Sequence, residues 1–391
     1  MSYRNLTLVL FVNLTVWYSV FTSGTLLPLY MRQNQLPEGT IGFIVGLLSV
    51  GALLARVGLG WAIDRFGARI FLLIGSLLWA GTSILISWAV SPPILILCRL
   101  AQGVGLGLFS ISAVIYASFA IQPSHRGKVV GIVETISAIA ISISPVSAMK
   151  LVEIGGYQLA FIIASLVPFL GFLLTLFLPF DTPGSNQNSP QFKGKIKELT
   201  YATLLPGIIG AAFFAAGSAF VGLLPLMGAR YQVENIGLMV SLRGLGTIPT
   251  RLSSGFISDH RGYPAVIIPG YIMGIVAVLW APLIKDNITP YLLSLLFGLG
   301  MGFVSPTISS WTMSRVPSEI RATAVSMYVT IAEFAGFLGT WFIGLSLETN
   351  SLNGFYLLGL IQILGLLFYI FSTILNKKTE VMEKSYGKPY R

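Results

Sequence analysis

Six ionisable side chains lie well inside the apolar stretches of the sequence, and they are the residues best placed to carry chemistry. A charge inside a lipid-spanning helix is costly and is usually paired or functional. A carboxyl that alternates between an arginine partner and an apolar, water-accessible site has its pKa moved strongly, so it can bind and release a proton. The six residues are Arg56, Arg99, Glu134, Arg243, Arg251 and Glu333.

The two acids in this set are predicted to carry a coupling proton. Glu134 and Glu333 lie well inside apolar stretches, whereas Asp64 and Asp259 fall at the ends of such stretches. A static buried salt bridge is the alternative for each glutamate.

The four arginines fall into two groups. Arg56 and Arg251 each lie two helical turns before an aspartate, so they are predicted to neutralise charge in a structural role. Arg99, Gln102 and Arg243 are predicted to act in a proton relay or to line a substrate cavity. Anchoring of the first apolar span is a further alternative for Arg99.

Aromatic residues make up 12% of the chain, and some could line a cavity for an amphipathic organic substrate. Lipid contact and core packing are the alternatives for each of them. The candidates inside or near the apolar spans are Trp17, Tyr18, Tyr116, Trp311 and Tyr328.

The composition assigns the chain to a membrane rather than to water. Of 391 residues, 54% are hydrophobic and only 10% are charged, with a mean hydropathy of +0.82. A soluble domain carries about 25% charged residues. The surface is therefore predicted to face lipid. The net charge of +10 lies between apolar spans rather than in one basic stripe, which argues against nucleic-acid binding.

Catalysis and ATP-driven pumping are poorly supported. The single cysteine, Cys98, and two loop histidines, His125 and His260, predict neither a metal site nor another bound cofactor. No nucleophile with its base stands at one membrane depth, so an enzyme is not predicted. The phosphate-binding Gly-x-x-x-x-Gly-Lys-Ser/Thr loop of ATP-driven pumps is missing from the sequence.

Twelve stretches are long and apolar enough to span a membrane, given that a spanning helix needs about 20 residues. The polar segment 181–198 is the predicted cytoplasmic linker between an N-terminal six-helix half, 1–180, and a C-terminal six-helix half, 199–376. Residues 377–391 are predicted to form a disordered basic cytoplasmic tail that favours anionic lipid. The twelve spans cover 5–31, 39–63, 69–90, 93–119, 127–149, 157–180, 200–228, 234–257, 264–284, 289–313, 321–346 and 352–375.

The basic residues between the spans predict the orientation. Loops and ends on one side hold sixteen of the 24 lysines and arginines, and the loops on the other side hold four. Lysine and arginine resist translocation, so the richer side is cytoplasmic. Both termini and the central linker are therefore predicted to be cytoplasmic.

The chain repeats itself at an offset of 195 residues. Arg56-x-x-x-Gly60-x-x-x-Asp64-x-x-Gly67 falls on Arg251-x-x-x-Gly255-x-x-x-Asp259-x-x-Gly262. A duplicated six-helix unit in parallel orientation is typical of alternating-access transporters, which bind substrate between the halves. At the same offset Gly103, Gly105 and Gly107 fall on Gly298, Gly300 and Gly302, and close helix packing explains these glycines better than a phosphate loop.

The repeated loop is predicted to be a latch that closes the cytoplasmic side, with an ordinary charged loop as the alternative. Its glycines permit a tight turn, and its aspartate can meet a helix N-terminus or an arginine. The latch residues are Gly60, Asp64, Arg65, Gly67, Arg69 and Arg126 in the first half and Gly255, Asp259, Gly262 and Arg321 in the second.

The loop Gly60-Trp-Ala-Ile-Asp64-Arg65-Phe-Gly67-Ala-Arg69 resembles the signature loop of the major facilitator superfamily. Arg99-Leu-Ala-Gln102-Gly103-Val-Gly105 resembles the second motif of its proton-coupled members. The pattern is most similar to twelve-span bacterial drug and small-molecule exporters. It departs from them at Ala68, where a basic residue is usual, in the Ser-Pro of the fifth span, and in the missing acid of the first span.

The resemblance implies an all-α fold in which the fifth span packs near the eighth and the second near the eleventh. Glu134 is then expected to meet Arg243 or Arg251, and Glu333 to meet Arg56. It also implies a monomeric multi-pass protein of the cell membrane that exports a small organic molecule in exchange for protons. An uptake symporter, or a lipid or lysolipid translocator, is the alternative, because one scaffold serves all of these.

Overall fold

The computed structural model describes residues 3–56, 58–119, 126–180, 196–317, 320–349 and 351–386. Every regular element in this part of the chain is a helix. Helices suit long apolar segments in lipid, because all their backbone hydrogen bonds are made within the segment. The helices are α1 Tyr3–Gln33, α2 Glu38–Arg56, α3 Leu59–Phe66, α4 Ala68–Ile86, α5 Pro92–Phe119, α6 Arg126–Leu176, α7 Ile196–Arg230, α8 Ile236–Arg261, α9 Pro264–Trp280, α10 Thr289–Ser314, α11 Arg321–Glu348 and α12 Asn353–Tyr386.

These helices supply the twelve predicted spans. The second span divides into α2 and the short α3, with Gly58 at a φ of 75° between them. The fifth and sixth spans form the single element α6, whose helical geometry breaks at Gly155 and Gly156. Gly156 has a φ of 72°, a conformation that residues with a side chain rarely adopt. The predicted all-α membrane fold is confirmed.

Within the described residues, ten helices are long and apolar enough to cross a membrane. α6 counts once in this number although it supplies two spans. α8 is not among the ten, because it carries Arg243 and Arg251 and is more polar than the others. The chain reverses direction within α6, at the break between its two arms. Val133, in its first arm, meets Asn13 near the start of α1, while Leu176, in its second arm, meets Arg69 at the start of α4.

Two boundaries differ from the prediction. α7 begins at Ile196, inside the predicted linker, and residues 181–195 of that linker lie outside the described part of the chain. α12 continues to Tyr386, inside the segment predicted to be the tail. The reason is intrinsic propensity, since the Lys, Glu and Met residues of this stretch are good helix formers.

The 195-residue repeat reappears in the packing. A Cβ at Gly105 would lie 2.9 Å from the carbonyl oxygen of Gly75, and a Cβ at Gly300 would lie 2.6 Å from that of Gly270. Gly300 lies 195 residues after Gly105, and Gly270 lies 195 residues after Gly75. The halves therefore use the same glycine-to-backbone contacts to bring their helices together. The equivalent pairs are Gly103 with Leu48, Gly298 with Arg243, Gly107 with Ala52 and Gly302 with Thr247.

The two halves, α1–α6 and α7–α12, meet mainly through α2 against α11 and through α6 against α8, as the resemblance implied. We call the end of the bundle where α1 begins and α12 ends the terminal end, and the opposite end the distal end. One hydrophobic core runs from the distal part of the first half, at Leu27, into the second half, at Leu224. The terminal part of the first half has a separate core around Trp79 and Phe109. The halves therefore share a core towards the distal end.

Candidate functional site

An ion pair joins the halves between α2 and α11. Both Nη atoms of Arg56 donate to the Glu333 carboxylate, and the Nη2 to Oε1 distance is 3.0 Å. Side-chain exposure is 15% for Arg56 and 28% for Glu333. The predicted meeting of these residues is confirmed. The pair is bidentate, which fixes its geometry, and partly exposed, so water can reach the carboxylate.

The other predicted coupling glutamate cannot be placed in the same way. The side chain of Glu134 lies outside the described part of the structure, and only its backbone within α6 is described. Its expected meeting with Arg243 or Arg251 stays a prediction. Arg251 is half-buried on α8, the helix that α6 packs against.

Arg243 occupies a different environment from Arg56. Its side chain on α8 is 8% exposed, and its Nε has no hydrogen-bond partner among the described residues. The guanidinium carbon lies 6.0 Å from the ring centroid of Phe21 on α1. Because α1 belongs to the first half and α8 to the second, this cation–π contact also crosses the interface between the halves.

Arg99 lies within the first half. Its Nη1 donates to Gln102 Oε1 at 2.9 Å, and Gln102 Nε2 donates to Ser83 Oγ at 3.2 Å. Arg99 is 3% exposed, and Gln102 is fully buried. This chain of hydrogen bonds anchors α5 to α4, and the expectation that Arg99 anchors the first span stays a prediction.

Two of the predicted cavity aromatics are packed in the interior. Tyr116 is fully buried and donates its hydroxyl to the Pro179 carbonyl at 2.8 Å. Tyr328 is 1% exposed within the core shared by the halves. Both rings therefore have the interior packing that the sequence left open as the alternative to cavity lining. Amphipathic rings with a satisfied hydroxyl pack well in a core, and periodicity alone cannot distinguish that fate from cavity lining.

The other three aromatic candidates are half-buried. The Trp17 ring stacks on that of Phe21 with centroids 5.5 Å apart. The Tyr18 hydroxyl and Ser147 Oγ lie 2.6 Å apart and join α1 to α6. Trp311 packs against the ring of Tyr369 in the second half. Trp17 and Tyr18 therefore lie on the helix that also presents Phe21 to Arg243.

The predicted latch has the same turn in both halves. Gly67 and Gly262 adopt φ values of 81° and 79°, and their N–H groups donate to Ile63 and Ser258, which are also 195 residues apart. A positive φ at these positions explains the need for glycine. The latch side chains of Asp64 and Arg126, and the surroundings of Gly60, lie outside what the structure describes.

The described latch side chains do not form an ion pair across the terminal end. Asp259 and Arg321 are both exposed, and within the described residues no salt bridge joins them. Gly255 has open space around it. Arg65 is exposed and lies over the ring of Trp61, 5.4 Å from its centroid.

Arg69, a predicted latch residue, links two helices of the first half. It is 7% exposed, and its Nε and Nη2 donate to the Thr175 and Leu176 carbonyls at 3.2 and 2.7 Å. Its guanidinium carbon also lies 3.9 Å from the Phe180 ring centroid. These contacts give Arg69 a structural link between α4 and the end of α6, and its place in the latch stays a prediction.

Polar contacts that the sequence did not predict close the distal end. Glu348 Oε2, at the end of α11, accepts from the Gly39 N–H at 2.9 Å. Glu38 Oε2 and Arg230 Nη1 lie 3.9 Å apart and join α2 to α7. Arg32 Nη1 donates to the Leu226 carbonyl at 3.2 Å. The sequence held one signal for these contacts, because charged residues stand at the distal ends of four spans.

Small residues let the helices approach beside these contacts. A Cβ at Gly42 of α2 would lie 2.7 Å from the Thr340 carbonyl oxygen and 2.9 Å from the Gly344 Cα, both on α11. On the other side of the interface, a Cβ at Gly237 of α8 would lie 2.7 Å from the Pro145 carbonyl oxygen of α6. The halves are therefore in backbone contact at the distal end.

Comparisons with known proteins agree with this architecture. The proton-coupled antiporter flippase LtaA of Staphylococcus aureus (strain USA300) is 24% identical over 335 residues, which cover 82% of each chain. The nucleoside transporter NupG is similar in structure, with a TM-score of 0.72, 16% identity and coverage of 94% of this chain and 96% of that chain.

Two further solved structures share the fold. The D-xylose-proton symporter has a TM-score of 0.71 and 17% identity, covering 94% of this chain and 97% of its own. A bacterial homologue of the human lysosomal transporter Spinster, in an inward-facing and occupied conformation, has a TM-score of 0.74 and 14% identity, covering 95% and 97%. The family model described as Major Facilitator Superfamily matches residues 9–340, and with its repeated halves the chain belongs to that superfamily.

Proposed function

We propose that the protein is a proton-coupled secondary active transporter that exports a small amphipathic organic molecule by alternating access. The observation that carries the proposal is the Arg56–Glu333 pair, a membrane-embedded acid and its counter-charge placed on different halves. Any rocking of one half against the other changes the separation of this pair. A carboxylate that loses its arginine in an apolar setting takes up a proton, and one that regains it releases the proton.

The proposed orientation places the terminal end in the cytoplasm, because the basic residues concentrate there. The distal contacts of Glu348 and Gly42 then close the extracellular side. The exposed Asp259 and Arg321 belong to an open cytoplasmic latch. On this interpretation the conformation faces inward, and Asp64 and Arg126 complete the latch when the cytoplasmic side closes.

The test is transport by the purified chain in proteoliposomes under an imposed pH gradient. Ethidium, an anionic fluorescein dye and an NBD-labelled lysolipid serve as probes, and a pH-sensitive dye in the lumen reports proton movement. We expect at least one probe to accumulate only with the gradient and to drive proton flux in the opposite direction. Accumulation without linked proton flux would contradict the proposed coupling.

Lipid or lysolipid translocation is the second candidate function. Its support is the similarity to the proton-coupled antiporter flippase of Staphylococcus aureus. NBD-lipid whose fluorescence is quenched by dithionite from one side distinguishes the two. Gradient-dependent transfer of lipid between leaflets would favour translocation, whereas accumulation of a soluble dye in the lumen would favour export.

A labelling experiment tests the proposed orientation. In a Cys98→Ser background, single cysteines replace Lys285 and Lys195. The basic bias predicts that a membrane-impermeant maleimide added to whole cells labels the cysteine at 285, while the cysteine at 195 reacts only after the membrane is permeabilised. The reverse pattern would invert the topology and with it the inward-facing interpretation.

A further inference from the structure

We propose that Arg243 is the binding site for an oxyanion carried by the transported molecule. The substrate class is an anionic amphiphile, whose phosphate, sulfonate or carboxylate pairs with the guanidinium while its apolar part lies against Phe21 and Trp17. This inference rests on the proposed transport function and gives that function a substrate chemistry.

The first argument is the charge of Arg243, which is left uncompensated within the described residues. An arginine stays protonated in proteins, and burying it without a counter-charge is unfavourable. Arg243 is 8% exposed, and its interaction in the described structure is with the face of Phe21. The weak quadrupole of one ring does not replace a counter-ion.

Other buried arginines in the bundle have found acceptors. Arg56 pairs with Glu333. Arg99, which is as buried as Arg243, donates to the Gln102 side chain. Arg69 donates to two helix-end carbonyls. Arg243 differs because no hydrogen bond or ion pair of its guanidinium is found among the described residues, and its buried Nε, like that of Arg99, has no acceptor there, which leaves donors for an external oxyanion.

The second argument is a set of buried hydroxyls with no hydrogen-bond partner among the described residues, on α8 itself, on α1, which the guanidinium contacts, and on α6, which packs against both. α1 packs against α6, and α6 packs against α8. Gly244 of α8 faces Ser142 of α6, and Tyr18 of α1 reaches Ser147 of α6, so both contacts fall within about one and a half turns of α6. On these three helices, the buried hydroxyls without a partner among the described residues include those of Thr22, Ser144 and Ser241, whereas Ser23 lies on the face of α1 where Ser19 meets Ala164 and Trp79.

The location suits a transported ligand. Counting about 1.5 Å per residue, Arg243 lies about 10 Å and Phe21 about 18 Å from the distal ends of their helices, so the group stands well inside the membrane. α1 and α6 belong to the first half and α8 to the second. A ligand that pairs with Arg243 and contacts Phe21 therefore touches both halves, as alternating access requires.

The proposal is tested by binding to the purified full chain in maltoside detergent. The probes are dodecyl phosphate and dodecyltrimethylammonium, which share a tail and differ in headgroup charge. We expect dodecyl phosphate to raise the Tm and to quench tryptophan fluorescence with at least tenfold tighter apparent Kd than the cation. Arg243→Gln should weaken dodecyl phosphate binding at least tenfold and remove the preference for the anion.

The matched control is Lys285→Met, which removes one positive charge from an exposed loop and should leave the preference unchanged. If Arg243→Gln does not fold, Arg243→Lys keeps the charge but loses the planar fork, and it should weaken dodecyl phosphate binding at least threefold. Binding of dodecyl phosphate at parent affinity in a folded Arg243 variant, or equal binding of the two probes to the parent, would overturn the proposal.

Inorganic phosphate identifies the source of the oxyanion. Displacement of dodecyl phosphate by millimolar inorganic phosphate supports a site that accepts free oxyanions, and resistance to it supports recognition of a headgroup with its tail. The experiment uses no gradient. If dodecyl phosphate binds as expected and the proteoliposomes show no proton-linked transport, the proposed function fails while the anion site stands.

Discussion

Replacing Glu333 with Gln is expected to abolish proton-driven transport. The amide has nearly the shape of the acid but mimics its protonated form permanently, so the residue can no longer exchange a proton as Arg56 approaches and leaves. Accumulation of a probe in proteoliposomes under a pH gradient should fall at least tenfold. Downhill exchange of the same probe, which needs no proton release, should persist.

A structural salt bridge predicts a different result. Removing one partner of a fully buried pair costs about 3–5 kcal/mol. The cost here lies below that range because the Arg56 and Glu333 side chains are 15% and 28% exposed. A purely structural role would lower the Tm and reduce accumulation and exchange together. Measuring the Tm beside both transport modes therefore separates the two roles.

Two companion variants complete this test. Glu153→Gln removes an acid from the exposed distal end of the first arm of α6 and should transport like the parent. Glu134→Gln examines the second predicted acid. If Glu333→Gln and Glu134→Gln both concentrate the probe as well as the parent does, neither acid is an essential coupling site. The protein would then be a facilitator or would use another ion.

Features that repeat along the chain were predictable. The offset of 195 residues is visible in sequence, and the structure uses it for the glycine turns at Gly67 and Gly262 and for the helix contacts of Gly105 and Gly300. The Arg56–Glu333 contact was also predictable, because the superfamily resemblance places the second span beside the eleventh. In both cases a local pattern and the order of the spans were enough.

Features that depend on which backbone group a side chain reaches were not predictable. Arg69 was predicted only as a latch residue, and its hydrogen bonds to the Thr175 and Leu176 carbonyls at a helix end were not foreseen. Glu348 meets the N–H of Gly39, a contact that exists because two helix ends from different halves come together. Neither contact leaves a periodic signal, since the partner is an ordinary backbone atom far away in sequence.

Replacing Gly42 with Leu is expected to prevent closure of the distal end and to stop transport. A Cβ at this position would lie 2.7 Å from the Thr340 carbonyl oxygen and 2.9 Å from the Gly344 Cα. Both are backbone atoms of α11, so no side-chain rotation relieves the clash, and the two halves must separate instead. Transport should fall at least tenfold, because a carrier that cannot close its distal side cannot complete the cycle.

The control for Gly42→Leu is Gly81→Leu. Gly81 lies at an exposed position inside α4, and a Cβ there would have nothing within 4 Å, so the same change of residue type meets no neighbour. Both variants gain helix propensity, since glycine is a poor helix former. A difference between them therefore reports the contact with α11 rather than the backbone of the substituted helix.

Spin labels at Gln33 and Asn287, exposed on the distal side of the first and second halves, measure the conformation directly. With Cys98 replaced by Ser, the distance between these labels should increase in Gly42→Leu and stay at the parent value in Gly81→Leu. Because the clash acts on the state with the distal end closed, the folded protein should shift to the opposite state rather than unfold. An unchanged distance distribution with normal transport would show that α2 and α11 tolerate a leucine between them, and the Gly42–Gly344 contact would then not be required for closure.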